Sequence, residues 1–407
     1  VSDQDPFDGE NFSFDPAQMF SMLGDISKLF GGKSEPSGAG GWDMARQLAG
    51  QVARGTESED NVDPAERMAW EQLTRVAELH VQQTTGLALT DAGPITVRPA
   101  TRHEWATNTV EAYRPLLEVL GGQLAEAVSM DTDDLPAEIE DPQVAMLGGL
   151  MKMIGPMMLS MTAGSMAGHL SHRSLGGYDL PIPRDDATEL LVVHSNIASF
   201  AEEWSVEIDD VRLWVCVHEM AHHAVLRIPH VRDRLFTLLR DYSRGFRPDE
   251  RAIRDRFGAF DISDPSSMES ITEAMNDPEA IIGVMQSDDQ RELVPFIGAL
   301  VTVIKGYVDW VMDEVGSNLI GSYPMISEAL RRRRVTANPS DHFVGRMLGI
   351  ELDRETFERG QKFVEGVVER AGAERLARLW ETDAFLPTPN EIEAPGLWIA
   401  RTDLQLN

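Results

Sequence analysis

Cysteine is almost missing from this chain: Cys216 is the single one. That excludes an internal disulfide framework and any metal site built from clustered thiolates. Positive charge is also scarce, with 36 Lys and Arg against 67 Asp and Glu, a formal net charge of −31. Such an acidic surface repels phosphate backbones and anionic lipid, so neither nucleic acid nor membrane is an expected partner. Val1 to Phe30 lacks a basic stretch followed by a long apolar run, so no signal peptide is read there and a cytoplasmic location is expected. What remains is an ordinary globular balance, 42% hydrophobic and 25% charged over 407 residues, sufficient for a sizeable core.

Residues 1–41 are rich in Asp, Gly, Ser and Pro with scattered Phe, and read as a solvated acidic, Gly-rich tail. From Trp42 onward apolar residues recur at helical spacing, and 42–407 reads as one large helical domain, divisible into lobes 42–200 and 201–407 around a cleft. The expected class is mainly α with a few short strands. Ile95 to Pro99 and Leu190 to His194 are the strand candidates, because β-branched or aliphatic residues lie there between turn signals. Helices are expected over 107–128, 268–286, 290–316, 324–334, 340–349 and 354–380. Val144 to Leu170 carries seven Met and five Gly, interrupted by Lys152 and Pro156. It reads as a buried helical hairpin whose small residues allow close approach, rather than as a membrane span.

One stretch carries strong chemistry. His218-Glu219-Met220-Ala221-His222 is an H-E-x-x-H pattern inside an apolar helix, led in by Asp209 as expected N-cap and stopped by Arg227 and Pro229. Residues i and i+4 share a helix face, so two imidazoles can address one ion. Two neutral nitrogens suit Zn2+, which then needs a third protein ligand and an open position. Glu219 is placed to act as general base on water activated by that ion. His223 points elsewhere and is expected to bind a backbone carbonyl or a carboxylate. His169 and His172 are read as surface or capping groups.

The third ligand is open. A metzincin continuation fails, since Val225 and Ile228 stand where Gly and His are required. A later helix offers Asp309, with Asp313 four residues on, and Asp241 is a rival by spacing. Asp309 is the chosen candidate.

The chain resembles the zincin-like metallopeptidase family of actinobacteria, long known only as a domain of unknown function. The likeness rests on Trp42-Asp43-Met44-Ala45-Arg46-Gln47, on Gly177-Tyr178-Asp179-Leu180-Pro181-Ile182-Pro183, and on Arg212-Leu213-Trp214 before the histidine motif. It continues through Gly306-Tyr307-Val308-Asp309 and Leu386-Pro387-Thr388-Pro389-Asn390-Glu391-Ile392. The resemblance implies a largely helical zincin-like fold with the H-E-x-x-H helix buried, and a zinc-dependent hydrolase or peptidase acting on a peptide or small amide. Some relatives are tied by name to coenzyme F420 biosynthesis. On the resemblance, His218 and His222 are metal ligands and Glu219 the general base. One departure stands out: relatives tend to carry Glu-Gly where this chain has Lys305-Gly306. The competing expectation is therefore a non-catalytic zincin-like protein with a vestigial or structural metal site, working through partner binding.

Overall fold

The computed structural model describes residues 39–55, 59, 62–91, 93–130, 160–184, 188–245, 287–335, 345, 347–350 and 352–405. The tail up to residue 38, the 144–159 part of the Met-rich segment, the 268–286 helix and most of 340–349 lie outside them.

Helices dominate. In chain order they are α1 (Ala39–Arg54), α2 (Pro64–Thr85), α3 (Arg102–Met130), α4 (160–171), α5 (His194–Glu203), α6 (Ile208–Leu226), α7 (Pro229–Arg244), α8 (Asp288–Leu319), α9 (Tyr323–Val335), α10 (Arg354–Ala371), α11 (Pro389–Glu393) and α12 (Pro395–Leu404). Their ends follow local rules. Asp63 caps α2 by accepting from Ala65 N, Pro64 takes the first helical position, and Gly86 at φ 67° closes it. Ser287 and Gln290 form a reciprocal capping box on α8. The expected 354–380 helix is interrupted: Gly372 adopts φ 84°, ending α10, and the chain continues as a 3-10 helix over Ala373–Trp380.

Both strand candidates form. β1 (Thr96–Ala100) and β2 (Glu189–Val193) pair in parallel, from Thr96 opposite Glu189 to Ala100 opposite Val193. Gly176 joins Val192 from the other side in an isolated antiparallel bridge. This pins the 174–179 loop to the sheet.

The core is continuous, running from Trp42 and Trp70 through α6 and α8 to Phe363 and Trp398. α8 lies at its centre and packs on α2, α6, α7 and α10. Among the described residues it is long and apolar enough to cross a membrane, yet it is mostly covered by protein here. α10 reaches it through two glycines: a Cβ on Gly306 would stand 2.4 Å from the Gly360 carbonyl group, so the backbones touch. α4 approaches α1 in the same way, with Gly164 against the Ala45 carbonyl. Small residues do permit close packing in that described part of the Met-rich segment.

The C-terminal segment is clamped by Glu391, which is 6% exposed. Its carboxylate accepts Arg401 Nε at 2.6 Å and Nη2 at 3.0 Å, and Thr388 N at 2.8 Å. Burial alone would raise this carboxyl, but the Arg401 guanidinium and the Thr388 N–H hold it below its ordinary 4.5. A depressed carboxyl stabilises the fold above its unfolded value, and that contribution disappears as pH falls through the folded value. We therefore expect Glu391→Gln to cost about 1–3 kcal/mol at neutral pH. Urea melts should show the gap narrowing on acidification below 4.5; a gap constant with pH would contradict the assignment.

Candidate functional site

From Leu213 onward α6 is buried to its end, with Val215, Cys216, Val217, Met220 and Ala221 at 0% exposure. It begins at Ile208, one residue before the expected N-cap. Glu207 takes the cap position without a side-chain bond, and Asp209 and Asp210 fall in the first turn. There Asp210 does a different job, accepting from Ser322 N at 2.7 Å and from Ser322 Oγ at 2.6 Å. Arg227 caps the C-terminus and Pro229 opens the next helix, as the sequence indicates.

His218 is 7% exposed, Glu219 1%, His222 0% and His223 1%. The shared helix face brings the His218 and His222 rings to 4.3 Å between centroids, tilted by 55°. Trp214, one turn earlier, stacks on His218 at 4.8 Å, and Tyr178 stacks on His222 at 6.1 Å. His222 Nδ1 lies 3.0 Å from the His218 carbonyl. A carbonyl only accepts, so Nδ1 carries the proton and Nε2 the lone pair. His218 Nδ1 lies 3.2 Å from Glu219 Oε1; when that carboxyl is ionised it only accepts, which leaves the lone pair on His218 Nε2.

Glu219 is gripped by the loop after α4. Gly177 N donates to Oε2 at 2.7 Å and Tyr178 N at 3.1 Å. Only glycine fits beside it at 176, where a Cβ would meet Glu219 Cδ at 2.2 Å. The Gly176 carbonyl accepts from Trp105 Nε1 at 2.9 Å. Arg184 lies across the outer side of the loop, donating from Nε to the Gly177 carbonyl at 3.0 Å. Burial pushes the Glu219 carboxyl up to about 7, against the pull of the Gly177 N–H, the Arg184 charge, the Tyr178 N–H and the Lys305 charge. The Cys216 thiol is raised by burial as well, so no reactive thiolate is on offer.

His223 finds a partner other than the expected carbonyl or carboxylate: its Nδ1 meets Tyr178 Oη at 2.9 Å. His172 Nε2 contacts the Val52 carbonyl at 3.1 Å, in keeping with a capping role. Asp241 is paired with Arg244 at 3.3 Å on α7. Asp313 accepts from Tyr323 Oη at 2.6 Å, and the charge of Asp309 reaches the same phenol. Among the described residues, no group of three His, Cys, Asp or Glu is arranged to hold a metal. His218, His222 and Asp309 thus form no such group, and the charge of Asp309 acts on Tyr323 of α9. The group that reaches the site from α8 is Lys305, 4% exposed, whose Nζ donates to the Tyr178 carbonyl at 3.4 Å and the Asp179 carbonyl at 3.3 Å. The pair thus suits zinc in its donor chemistry and tautomers, and is one protein ligand short among the described residues.

The histidine motif is legible in the sequence, whereas the role of the Gly176-Gly177-Tyr178 cradle is not. Its only signal was the density of Gly beside an aromatic between two elements.

The family model for zincin-like metallopeptidases matches residues 41–399, and the chain belongs to that family. A solved structure from Chloroflexus aurantiacus, described as a "putative hydrolase with a novel fold", is similar at a TM-score of 0.59 and 23% identity. The match covers 89% of this chain and 98% of that one, and shows a shared fold. No curated protein matches.

Proposed function

We propose that the protein is a hydrolase of amide or peptide bonds working at His218, Glu219 and His222. The observation that carries this reading is the setting of the imidazoles: each has its Nδ1 against an oxygen, at 3.2 and 3.0 Å, which leaves two Nε2 lone pairs one helical turn apart. His218 and His222 would hold zinc. When bound, that ion supplies Lewis-acid polarisation of a carbonyl and acidifies water near it. Glu219 then receives the proton of the attacking water and returns it to the leaving nitrogen. A carboxylate has about four acceptor positions, so Glu219 keeps capacity beyond its bonds to His218, Gly177 and Tyr178. Family membership and the description of the Chloroflexus aurantiacus neighbour support the same class.

The test is an assay of the whole chain in micromolar zinc against a panel of peptides and simple amides. A chelator should abolish turnover, readded zinc should restore it, and folded His222→Ala should stay inactive. Turnover that survives both the chelator and His222→Ala would sink the reading.

The buried ammonium of Lys305 favours a second reading, a zincin-like protein that binds an amide-bearing partner without cleaving it. Saturable peptide binding with no product in zinc would support it.

A further inference from the structure

Six consecutive carbonyls, from Ser174 to Asp179, accept hydrogen bonds from groups outside the loop that grips Glu219. Ser174 takes Asn196 Nδ2 at 2.7 Å and Leu175 takes Val193 N at 2.9 Å. Gly176 takes Trp105 Nε1 at 2.9 Å, and Gly177 takes Arg184 Nε at 3.0 Å. Lys305 Nζ serves Tyr178 and Asp179. Buried carbonyls need partners, but side chains from α3, α5 and α8 converging on one short loop hold it far more firmly than a turn requires.

Two of these bonds reach Glu219 through a single peptide each. The peptide joining Gly176 to Gly177 accepts from Trp105 on its carbonyl and donates from Gly177 N to Glu219 Oε2 at 2.7 Å. The peptide joining Gly177 to Tyr178 accepts from Arg184 and donates from Tyr178 N to the same oxygen at 3.1 Å. A donor on the carbonyl polarises an amide and strengthens the bond made by its N–H. Both donors trace to α3. Trp105 is buried on that helix, and further along it Asn108 Oδ1 and Thr109 Oγ1 accept from Arg184 Nη1 at 3.2 Å and Nη2 at 3.4 Å. The Tyr113 ring of α3 and the Tyr178 ring each lie 6.0 Å from the guanidinium carbon. Residues 105, 108, 109 and 113 share one helix face. A Cβ on Gly177 would stand 3.0 Å from Arg184 Nε, so glycine lets the guanidinium lie against the peptide. The acceptors of Arg184 are a carbonyl, an amide and a hydroxyl, all neutral, and its charge acts on Glu219.

We propose that Arg184 and Trp105 are the positioning residues of Glu219: each aims one amide of the loop at Oε2, and together they set the orientation of the carboxylate beside the histidine pair. The inference rests on the role of Glu219 proposed above. The two amides approach one oxygen, Oε2, so the carboxylate cannot turn without breaking a bond to the loop. Oε1, with His218 Nδ1 at 3.2 Å, keeps a lone pair to receive a proton. Removing one donor slackens one amide, while the other stays held by its own.

The experiment records the amide proton shifts and exchange rates of Gly177 and Tyr178 by NMR on the full chain, with no substrate or metal present. Arg184→Met should move the Tyr178 amide upfield and speed its exchange ~5-fold, while Gly177 keeps its values. Trp105→Phe should act the other way round, on Gly177 and not on Tyr178. Arg184→Lys keeps the charge, loses the fork that reaches Asn108 and Thr109, and should act on the Tyr178 amide too. It carries the test if Arg184→Met does not fold. A merely structural role would loosen both amides in every variant; that outcome overturns the proposal, and so does no change in either amide. Where the unaltered chain hydrolyses an amide, Arg184→Met and Trp105→Phe should each lower kcat ~10-fold with KM unchanged. An unchanged kcat would overturn the proposal and leave the role of Glu219 standing. Because the amides are read without turnover, the crossed pattern in a protein that hydrolyses nothing would end the hydrolase reading and leave this positioning in place.

Discussion

Glu219→Gln should reduce zinc-supported hydrolysis by roughly 100- to 10,000-fold, the range removed with a general base. The amide is close in shape but takes no proton from water. It also disturbs its own cradle. Oε2 now accepts from both Gly177 N and Tyr178 N, and an NH2 group there would point donors at donors. Turning the amide over sets its NH2 beside His218 Nδ1, 3.2 Å from Oε1, where it is accepted only if that ring moves its proton to Nε2 and gives up the lone pair there. We therefore expect a stability loss of about 1–3 kcal/mol beside the loss of rate. Tyr178→Phe separates the two effects, since it removes the bond to His223 Nδ1 and leaves the carboxylate able to take a proton. Activity in Glu219→Gln equal to that of Tyr178→Phe would mean that Glu219 only positions the loop.

Gly306→Ala should destabilise the fold by about 2–3 kcal/mol, and a larger side chain by more. Helix propensity alone predicts the opposite sign, because Ala is better than Gly inside a helix by up to about 1 kcal/mol. The collision decides. The new Cβ would lie 2.4 Å from backbone atoms of Gly360, and backbone at the centre of a packed helix pair cannot swing aside as a side chain can. The reciprocal change is similar, as a Cβ on Gly360 would meet the Thr302 carbonyl at 2.5 Å. Urea unfolding measures both. A Gly306→Ala protein as stable as its parent would show that α8 and α10 separate easily, and the fixed position of Lys305 would lose its support.

Much of the architecture was legible because it depends on neighbours along the chain. The Pro64 start of α2 and the two short strands follow from φ preferences and capping, which act over a few residues. The 354–380 helix was overextended because apolar periodicity continues through Gly372, whose positive φ outweighs it. Asp209 is not the N-cap because the helix starts one residue before it and its carboxylate accepts from Arg212, while Asp210 beside it binds Ser322 across 112 residues, a contact no local pattern contains.

By itself, then, the order of amino acids determined that a buried helix would carry two imidazoles and an acid at a spacing fit for a metal, since helical geometry follows from the backbone. Packing alone decided what surrounds them. It brought a glycine loop from 42 residues upstream onto Glu219, brought the charge of Asp309 to bear on Tyr323, and set Lys305 against the carbonyls of that loop. Which side chains meet across helices depends on crossing positions set by contacts such as Gly306 on Gly360, and those belong to the folded chain.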